Sequence, residues 1–220
     1  MELINIEKSK VVALASYRMT KGQPFYPTLL GAIAARYQFQ ILPENHPAQT
    51  NPNGASLSLK IGSWRDIEIE VFDIYGDGFV VAGQCDTSTL DLFVDDVQDF
   101  ISSKFGIVPA AHPSQVRLYD SQVVVSLDPK FEKKFDFLKQ LYGDLNAMVS
   151  SYTGEDPIYR FGGMHIETDE LLSGPRKPGR FLLARRVGVD FNAGYWFASA
   201  GLKTQDHLTI LTRLETNLLS

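Results

Sequence analysis

The chain has 220 residues, of which 44% are hydrophobic, 11% aromatic and 21% charged, and these ordinary values exclude a chain that is disordered throughout. Its one cysteine, Cys85, excludes an internal disulfide framework and argues against a cysteine-based zinc site. The formal net charge of −5 argues against binding to nucleic acid, because proteins that bind phosphate backbones usually carry excess positive charge.

The first half of the chain, residues 1–110, is predicted to contain a strand, a helix, three further strands and a second helix. Pro27 suits the first turn of the first helix, and the Pro- and Asn-rich residues 42–56 predict a surface loop. The dipeptide Asp77-Gly78 predicts a tight turn between the last two strands. The predicted strands are residues 9–18, 56–62, 64–75 and 78–86, and the predicted helices are residues 25–37 and 88–106.

Two patterns in this half each indicate one buried face. Along residues 64–75, Ile67, Ile69 and Val71 alternate with acidic residues, which predicts an apolar row toward the core. The acidic row is predicted to be solvated and consists of Asp66, Glu68 and Glu70. In the second helix, Ser88 is the predicted cap and the apolar residues have helical spacing. That apolar face consists of Leu90, Phe93, Val97, Phe100 and Ile101.

The second half, residues 111–220, repeats the same order of elements. Residues 130–152 are the most distinct helix in the sequence, and a final helix over residues 205–219 has Thr204 as its predicted cap. The apolar face predicted for residues 130–152 consists of Phe131, Phe135, Leu138, Leu141, Leu145 and Met148. The predicted strands are residues 116–128, 157–169, 180–190 and 194–202.

The repeated order suggests one unit written twice. Glycine, aromatic and alanine positions match 116 residues apart in the strands, while the helix faces match 118 apart, which implies a two-residue insertion in the turn. The matched pairs are Gly78 with Gly194, Phe79 with Tyr195, Ala82 with Ala198, Leu90 with Leu208 and Phe93 with Leu211. The alternative is convergence, because any hairpin followed by a helix needs similar residues.

These patterns predict an α+β fold. We expect two pseudo-duplicated β-α-β-β-β-α halves, residues 1–110 and 111–220, as two domains or one continuous domain. The sheet is predicted to be mainly antiparallel and covered by helices on one face, which leaves the other face open. The order of elements is similar to that of saddle-shaped folds of the TATA-binding-protein type, a resemblance of architecture that implies no function.

A basic cluster and an aromatic residue are the candidate partner-binding residues. The charge is divided unequally, since residues 1–110 hold 8 basic and 13 acidic residues and residues 111–220 hold 13 of each. Arginine binds carboxylates and phosphates through its planar guanidinium. Trp196 is predicted on the open face, with its neighbours Tyr195 and Phe197 toward the helices. The candidate partner-binding residues are Arg176, Lys177, Arg180, Arg186 and Trp196.

The motifs that could indicate catalysis or metal binding point to a function less specifically than this basic cluster does. His165 and Glu167 are two positions apart on a predicted strand and share a face, but a catalytic metal site needs about three protein ligands. The sequence has no phosphate-binding glycine loop and no nucleophile elbow. Cys85 is predicted to be a buried, unreactive thiol. We therefore expect no catalytic residue, no metal site and no cofactor.

Three functional hypotheses follow from these observations. The favoured one is a non-catalytic interaction module that binds a protein partner, or a second copy of itself, through the open sheet face. The alternatives are a small-molecule-binding protein or enzyme with a pocket near His165 and Glu167, and a nucleic-acid-binding protein that uses the cluster from Arg176 to Arg186.

The sequence predicts a cytoplasmic protein that does not bind membranes. This prediction depends on acidic residues near the N-terminus, on the absence of an apolar run of about 18 residues and on the single cysteine.

Overall fold

The computed structural model describes residues 1–22, 26–42, 57–109, 116–169 and 179–220. Its strands are β1 (Glu2–Leu14), β2 (Tyr17–Met19), β3 (Leu57–Trp64), β4 (Ile67–Tyr75), β5 (Gly78–Gly83), β6 (Ile107–Pro109), β7 (Val116–Ser126), β8 (Gly163–Ile166), β9 (Phe181–Arg185) and β10 (Tyr195–Ala200). Its helices are α1 (Tyr26–Arg36), α2 (Thr87–Phe105), α3 (Lys130–Lys133), α4 (Lys139–Thr153) and α5 (Thr204–Leu219). Short 3-10 turns span Asp136–Leu138 and Phe191–Ala193.

Eight strands form one antiparallel sheet in the order β3-β4-β5-β1-β7-β10-β9-β8. The central strands β1 and β7 pair from Glu2 with Ser126 to Leu14 with Val116, so both halves of the chain contribute to the same sheet. Strands β2 and β6 form a separate two-stranded ribbon. The predicted α+β class with a mostly antiparallel sheet is confirmed. The turn at Asp77-Gly78 is also confirmed, since β4 and β5 pair up to Gly78.

Buried apolar side chains form two clusters, one in each half of the sheet. The first cluster joins β1, β3, β4 and β5 to helices α1 and α2, with Phe72 and Phe93 among its fully buried members. The second cluster is smaller and joins β7, β9 and β10 to α3 and α5. Its buried members are Val123, Val125, Leu127, Phe131, Leu183, Trp196, Ala198 and Leu211.

Helix α2 follows the predicted pattern closely, apart from its cap. Its N-cap is Asp86, whose side chain accepts a hydrogen bond from the Thr89 amide at 3.0 Å, so the prediction of Ser88 as cap was wrong. Gly106 ends the helix in the left-handed conformation that glycine favours. In α5 the N-cap is Lys203, without a side-chain cap, and Thr204 is the first helical residue.

Strand β4 departs from the strict alternation that its sequence predicts. Ile69 and Phe72 are both fully buried, whereas Val71 is partly exposed. The change of face between positions 69 and 72 lies beside Ile61 of β3, whose φ of 55° is left-handed. Since a β-branched residue is strained there, we interpret Ile61 as the point where the pleat is interrupted, which brings Phe72 into the core.

The helix predicted over residues 130–152 is broken into two helices. Phe131 of α3 is buried against Trp196, with ring centroids 5.4 Å apart, and the chain then bends through Asp136–Leu138. Phe135 stacks on Phe161 at 3.8 Å. No residue of α4 is buried, so most of the predicted apolar face is not used by the described parts of the chain.

Helices α2 and α5 meet at a buried polar contact above the central strands. The Thr87 amide donates to Thr204 Oγ1 at 3.1 Å, and the Thr204 amide donates to Thr87 Oγ1 at 2.9 Å. The hydroxyl of Ser9 in β1 lies 3.4 Å from that of Thr204. All three residues are buried, so each hydroxyl satisfies a polar group that water does not reach.

We predict that Thr204→Val lowers the free energy of unfolding by about 1–3 kcal/mol, because it leaves the buried Thr87 amide without an acceptor. Urea denaturation measures the effect. Thr216→Val is the matched control, since Thr216 is exposed on the same helix and bonds only to the carbonyl of Thr212. Equal losses in the two variants would contradict the structural role of the threonine pair.

Candidate functional site

The predicted basic cluster does not form one continuous patch in the described residues. Arg176 and Lys177 lie outside them. Arg180 is exposed, with Nη1 3.8 Å from Oε1 of Glu167, and Arg186 Nη2 lies 3.0 Å from Oε1 of Glu7. Because these arginines flank the two ends of β9, they are about 20 Å apart along the strand. Each is placed beside a carboxylate.

Trp196 does not lie on an exposed face, and this prediction was wrong. Its side chain is 2% exposed and belongs to the second cluster, whereas Tyr195 is exposed. In the sheet, Trp196 lies opposite Val125. The predicted alignment matched Phe79 with Tyr195. The burial of the two strands matches Phe79 with Trp196 instead, one residue further along the chain. A slip of one residue reverses every side chain in a strand.

Arg185 is the arginine that sequence reasoning missed. Its guanidinium forms an ion pair with Glu132 and lies 4.2 Å from the centroid of the Trp196 ring, while only 11% of its side chain is exposed. The sequence carried a signal for this placement, because the alternation that directs Phe181 and Leu183 inward also directs Arg185 inward. The ion pair connects α3 to β9, and the contact with the Trp196 ring connects β9 to β10.

A cleft of about 370 Å³ lies beside this ion pair, between the α3–α4 region and residues 158–161. The hydroxyl of Tyr142 is buried there and has no hydrogen-bond partner among the described residues. The Tyr159 amide donates to Asn146 Oδ1 at 3.0 Å, which fastens the loop to α4. The cleft is lined by Glu132, Phe135, Asp136, Lys139, Tyr142, Gly143, Asn146, Ile158, Tyr159, Arg160, Phe161 and Asn192.

His165 and Glu167 do not line this cleft. Both side chains are exposed at the end of β8. No group of three or more His, Cys, Asp or Glu side chains with metal-binding geometry occurs in those residues. Two ligand-type side chains on one strand do not make a metal site without a third.

One face of α4 forms an exposed apolar ridge. We call it the α4 ridge and define it as Leu141, Leu145, Met148 and Tyr152. Leu141 is 52%, Met148 61% and Tyr152 73% exposed. Leu145 is partly exposed. Several large exposed side chains so close together usually mark an interaction surface.

His207 and Ser121 form a buried pair between α5 and β7. His207 Nδ1 lies 2.7 Å from Ser121 Oγ, and both residues are fully buried. In the part of the chain that the structure describes, Nε2 of His207 has no hydrogen-bond partner. Burial lowers the pKa of His207 to about 4, so the imidazole is neutral at pH 7. A serine and a histidine at this distance can act as nucleophile and base only where a substrate can reach them, and the full burial of this pair argues for a structural role.

Cys85 is half-buried at the end of β5 and is a poor nucleophile. Burial, together with the charges of Asp86 and Glu70, raises the pKa of its thiol to about 11. Because only the thiolate reacts, the fraction of reactive thiol at pH 7 is very small. The structure therefore supports the predicted unreactive thiol, although it is not fully buried.

Comparison with known proteins provides no family for the chain. No protein-family model matches it, and no curated protein matches it significantly. In the described parts of the chain, no helix has the length and apolar character needed to cross a membrane.

We predict that acid destabilises the fold through His207. Its pKa is about 4 in the folded protein and 6.5 for a histidine exposed to water, so the unfolded state binds the proton more readily between these values. The contribution of the neutral His207 side chain to the free energy of unfolding is complete above about pH 6.5. It decreases as the pH falls toward 4, by up to about 3 kcal/mol. Chemical denaturation at a series of pH values measures it.

His207→Asn removes the titrating group and retains an amide that can bond to Ser121. The loss of unfolding free energy that His207 causes at acid pH should therefore disappear. His165→Asn is the matched control, because His165 is exposed and its replacement should leave the loss unchanged. An unchanged pH profile in His207→Asn would disprove the assignment.

Proposed function

We propose that the chain is a non-catalytic interaction module that binds a protein partner through one face of its eight-stranded sheet. The observation that carries this proposal is a row of partly exposed apolar residues across three central strands: Val80 of β5 lies opposite Val12 of β1, and Val12 lies opposite Leu118 of β7. We call the face that carries this row the outer face.

The register of the strands supports the existence of two different faces. Residues directly opposite each other in an antiparallel pair share a face. Val81, Val11 and Tyr119 form one such row, and the first two are fully buried in the first cluster. The neighbouring row of Val80, Val12 and Leu118 points the other way. We propose that α1, α2 and α5 cover only the face with the buried clusters.

A duplication would explain why this pattern recurs in the second half. The strand orders β3-β4-β5-β1 and β8-β9-β10-β7 match from edge to centre. Thr87 and Thr204 begin α2 and α5 and exchange hydrogen bonds, and they are 117 residues apart. The same offset equates the buried Phe79 with the buried Trp196, without the insertion that sequence matching required.

Charged residues lie beside the apolar row of the outer face. Lys10 and Asp120 lie opposite each other, two residues along the central strands from that row. Glu7, farther along β1, forms an ion pair with Arg186. An apolar centre with a polar rim is the usual anatomy of a protein interface. In this proposal Arg180 and Arg186 belong to the rim and select a partner by charge. The single cysteine supports a reducing, cytoplasmic compartment.

The cleft beside α4 supports a second candidate function, the binding of a small molecule. Its buried Tyr142 hydroxyl accepts or donates no hydrogen bond within the described ranges, and the stacked rings of Phe135 and Phe161 provide an apolar wall. Ligand sites commonly combine an apolar lining with a few polar groups. Binding of nucleic acid is a weaker candidate, because the described arginines of the basic cluster lie beside carboxylates.

We predict that Leu118→Arg abolishes capture of a protein partner, because it places a charge in the centre of the outer face. Leu92→Arg is the matched control, since Leu92 is exposed on α2, away from this row. Affinity capture from extracts of the native cell, quantified by mass spectrometry, measures the effect. A partner should be captured by the wild type and Leu92→Arg alike and be lost with Leu118→Arg.

Each variant must first show the wild-type melting temperature, so that loss of capture is not loss of folding. An identical set of captured proteins for all three chains would contradict the proposal.

A further inference from the structure

We infer that a second copy of this chain docks on the α4 ridge, with the two α4 helices antiparallel. The ridge is separate from the outer face, so the inference does not depend on the proposed function. Leu141, Leu145, Met148 and Tyr152 are spaced by four, three and four residues. This is the spacing with which one helix packs along another in a coiled coil.

The ridge points away from the part of the chain on which α4 rests. Lys139, Tyr142 and Asn146 line the cleft and therefore face the body of the protein. At 3.6 residues per turn, the centre of the ridge is rotated by roughly 120° from these three residues. The exposure of Met148 and Tyr152 agrees with this geometry. An apolar stripe with this orientation is available to another molecule.

The charges at the two ends of the helix favour an antiparallel copy as that molecule. The segment that leads into α4 carries four exposed lysines against two acidic residues, whereas the turn after α4 carries two exposed acidic residues and no basic residue. The lysines are Lys130, Lys133, Lys134 and Lys139, and the acidic residues after the helix are Glu155 and Asp156.

An antiparallel arrangement places the basic end of each copy beside the acidic end of the other. A parallel arrangement would bring like charges together at both ends, which is unfavourable. The contact is also self-complementary, as a two-fold symmetric dimer requires. Two copies that meet at the middle of the ridge place Leu141 of one opposite Tyr152 of the other, and Leu145 opposite Met148.

Sedimentation at a series of concentrations tests this inference on the full chain. We expect wild-type dimers whose dissociation constant rises at least about tenfold in Met148→Asp, the change that corresponds to about 1.4 kcal/mol. Ala147→Asp is the matched control, because Ala147 is exposed on the same helix but off the ridge, and it should dimerise like the wild type. Circular dichroism checks that both variants remain folded.

The orientation is tested by disulfide cross-linking of chains that carry Cys85→Ser. In an antiparallel dimer, Leu141→Cys should cross-link to Tyr152→Cys when the two variants are mixed, and neither should cross-link to itself. Identical positions would be about 16 Å apart along the axis, beyond the reach of a disulfide. A parallel dimer would give the opposite result, with each variant cross-linked to itself.

Three results would overturn the inference: a wild-type monomer at all concentrations, a dimer that Met148→Asp does not weaken, and self-cross-linking of the single-cysteine variants. A wild-type chain that stays monomeric at all concentrations but binds a different protein through the ridge would also overturn the inference. Leu118→Arg separates the two proposals, because we expect it to leave the dimer intact. A dimer lost with Leu118→Arg but kept with Met148→Asp would assign self-association to the outer face instead, and would support the proposed function while refuting this inference.

Discussion

The pairing of β1 with β7 is the constraint on which the rest of the architecture depends. It joins strands from both halves of the chain into one sheet and brings the first residues of α2 and α5 together above its centre. The close approach of these helices removes the amides of Thr87 and Thr204 from water, and the two hydroxyls replace the lost hydrogen bonds. Apolar packing is non-directional, so we attribute the position of the two helices relative to each other to this directional contact.

Features that arise from neighbouring residues could be predicted from the sequence. The turn at Asp77-Gly78 needs only a dipeptide that tolerates positive φ, and the buried face of α2 needs only helical spacing of its apolar residues. The hairpins β4–β5 and β9–β10 follow from strands separated by short connections. The alternation in residues 181–185 was also sufficient to place Arg185, although its partner Glu132 is distant in sequence.

Features that depend on distant residues could not be predicted in this way. The error at Trp196 was one residue in an alignment, but a strand has a period of two, so the smallest possible error reversed the side chain. The break in the pleat beside Ile61 depends on a backbone conformation that β-branched residues rarely adopt. The amphipathic pattern of residues 130–152 correctly indicated an apolar face, but a pattern within one segment does not identify what covers that face.

The two proposed surfaces have a joint consequence for binding strength. Phe131 of α3 packs into the second cluster, which in the proposed arrangement lies on the face of the sheet opposite the outer face. In that arrangement α4 extends from the opposite side. A dimer formed through the α4 ridge would therefore leave both outer faces free and present two equivalent sites. A partner with two linked binding segments would then bind the second site at an effective concentration set by the linker, and its total affinity would exceed that of either site alone. Such avidity would let a row as small as Val80, Val12 and Leu118 bind usefully, since each copy would need only modest affinity.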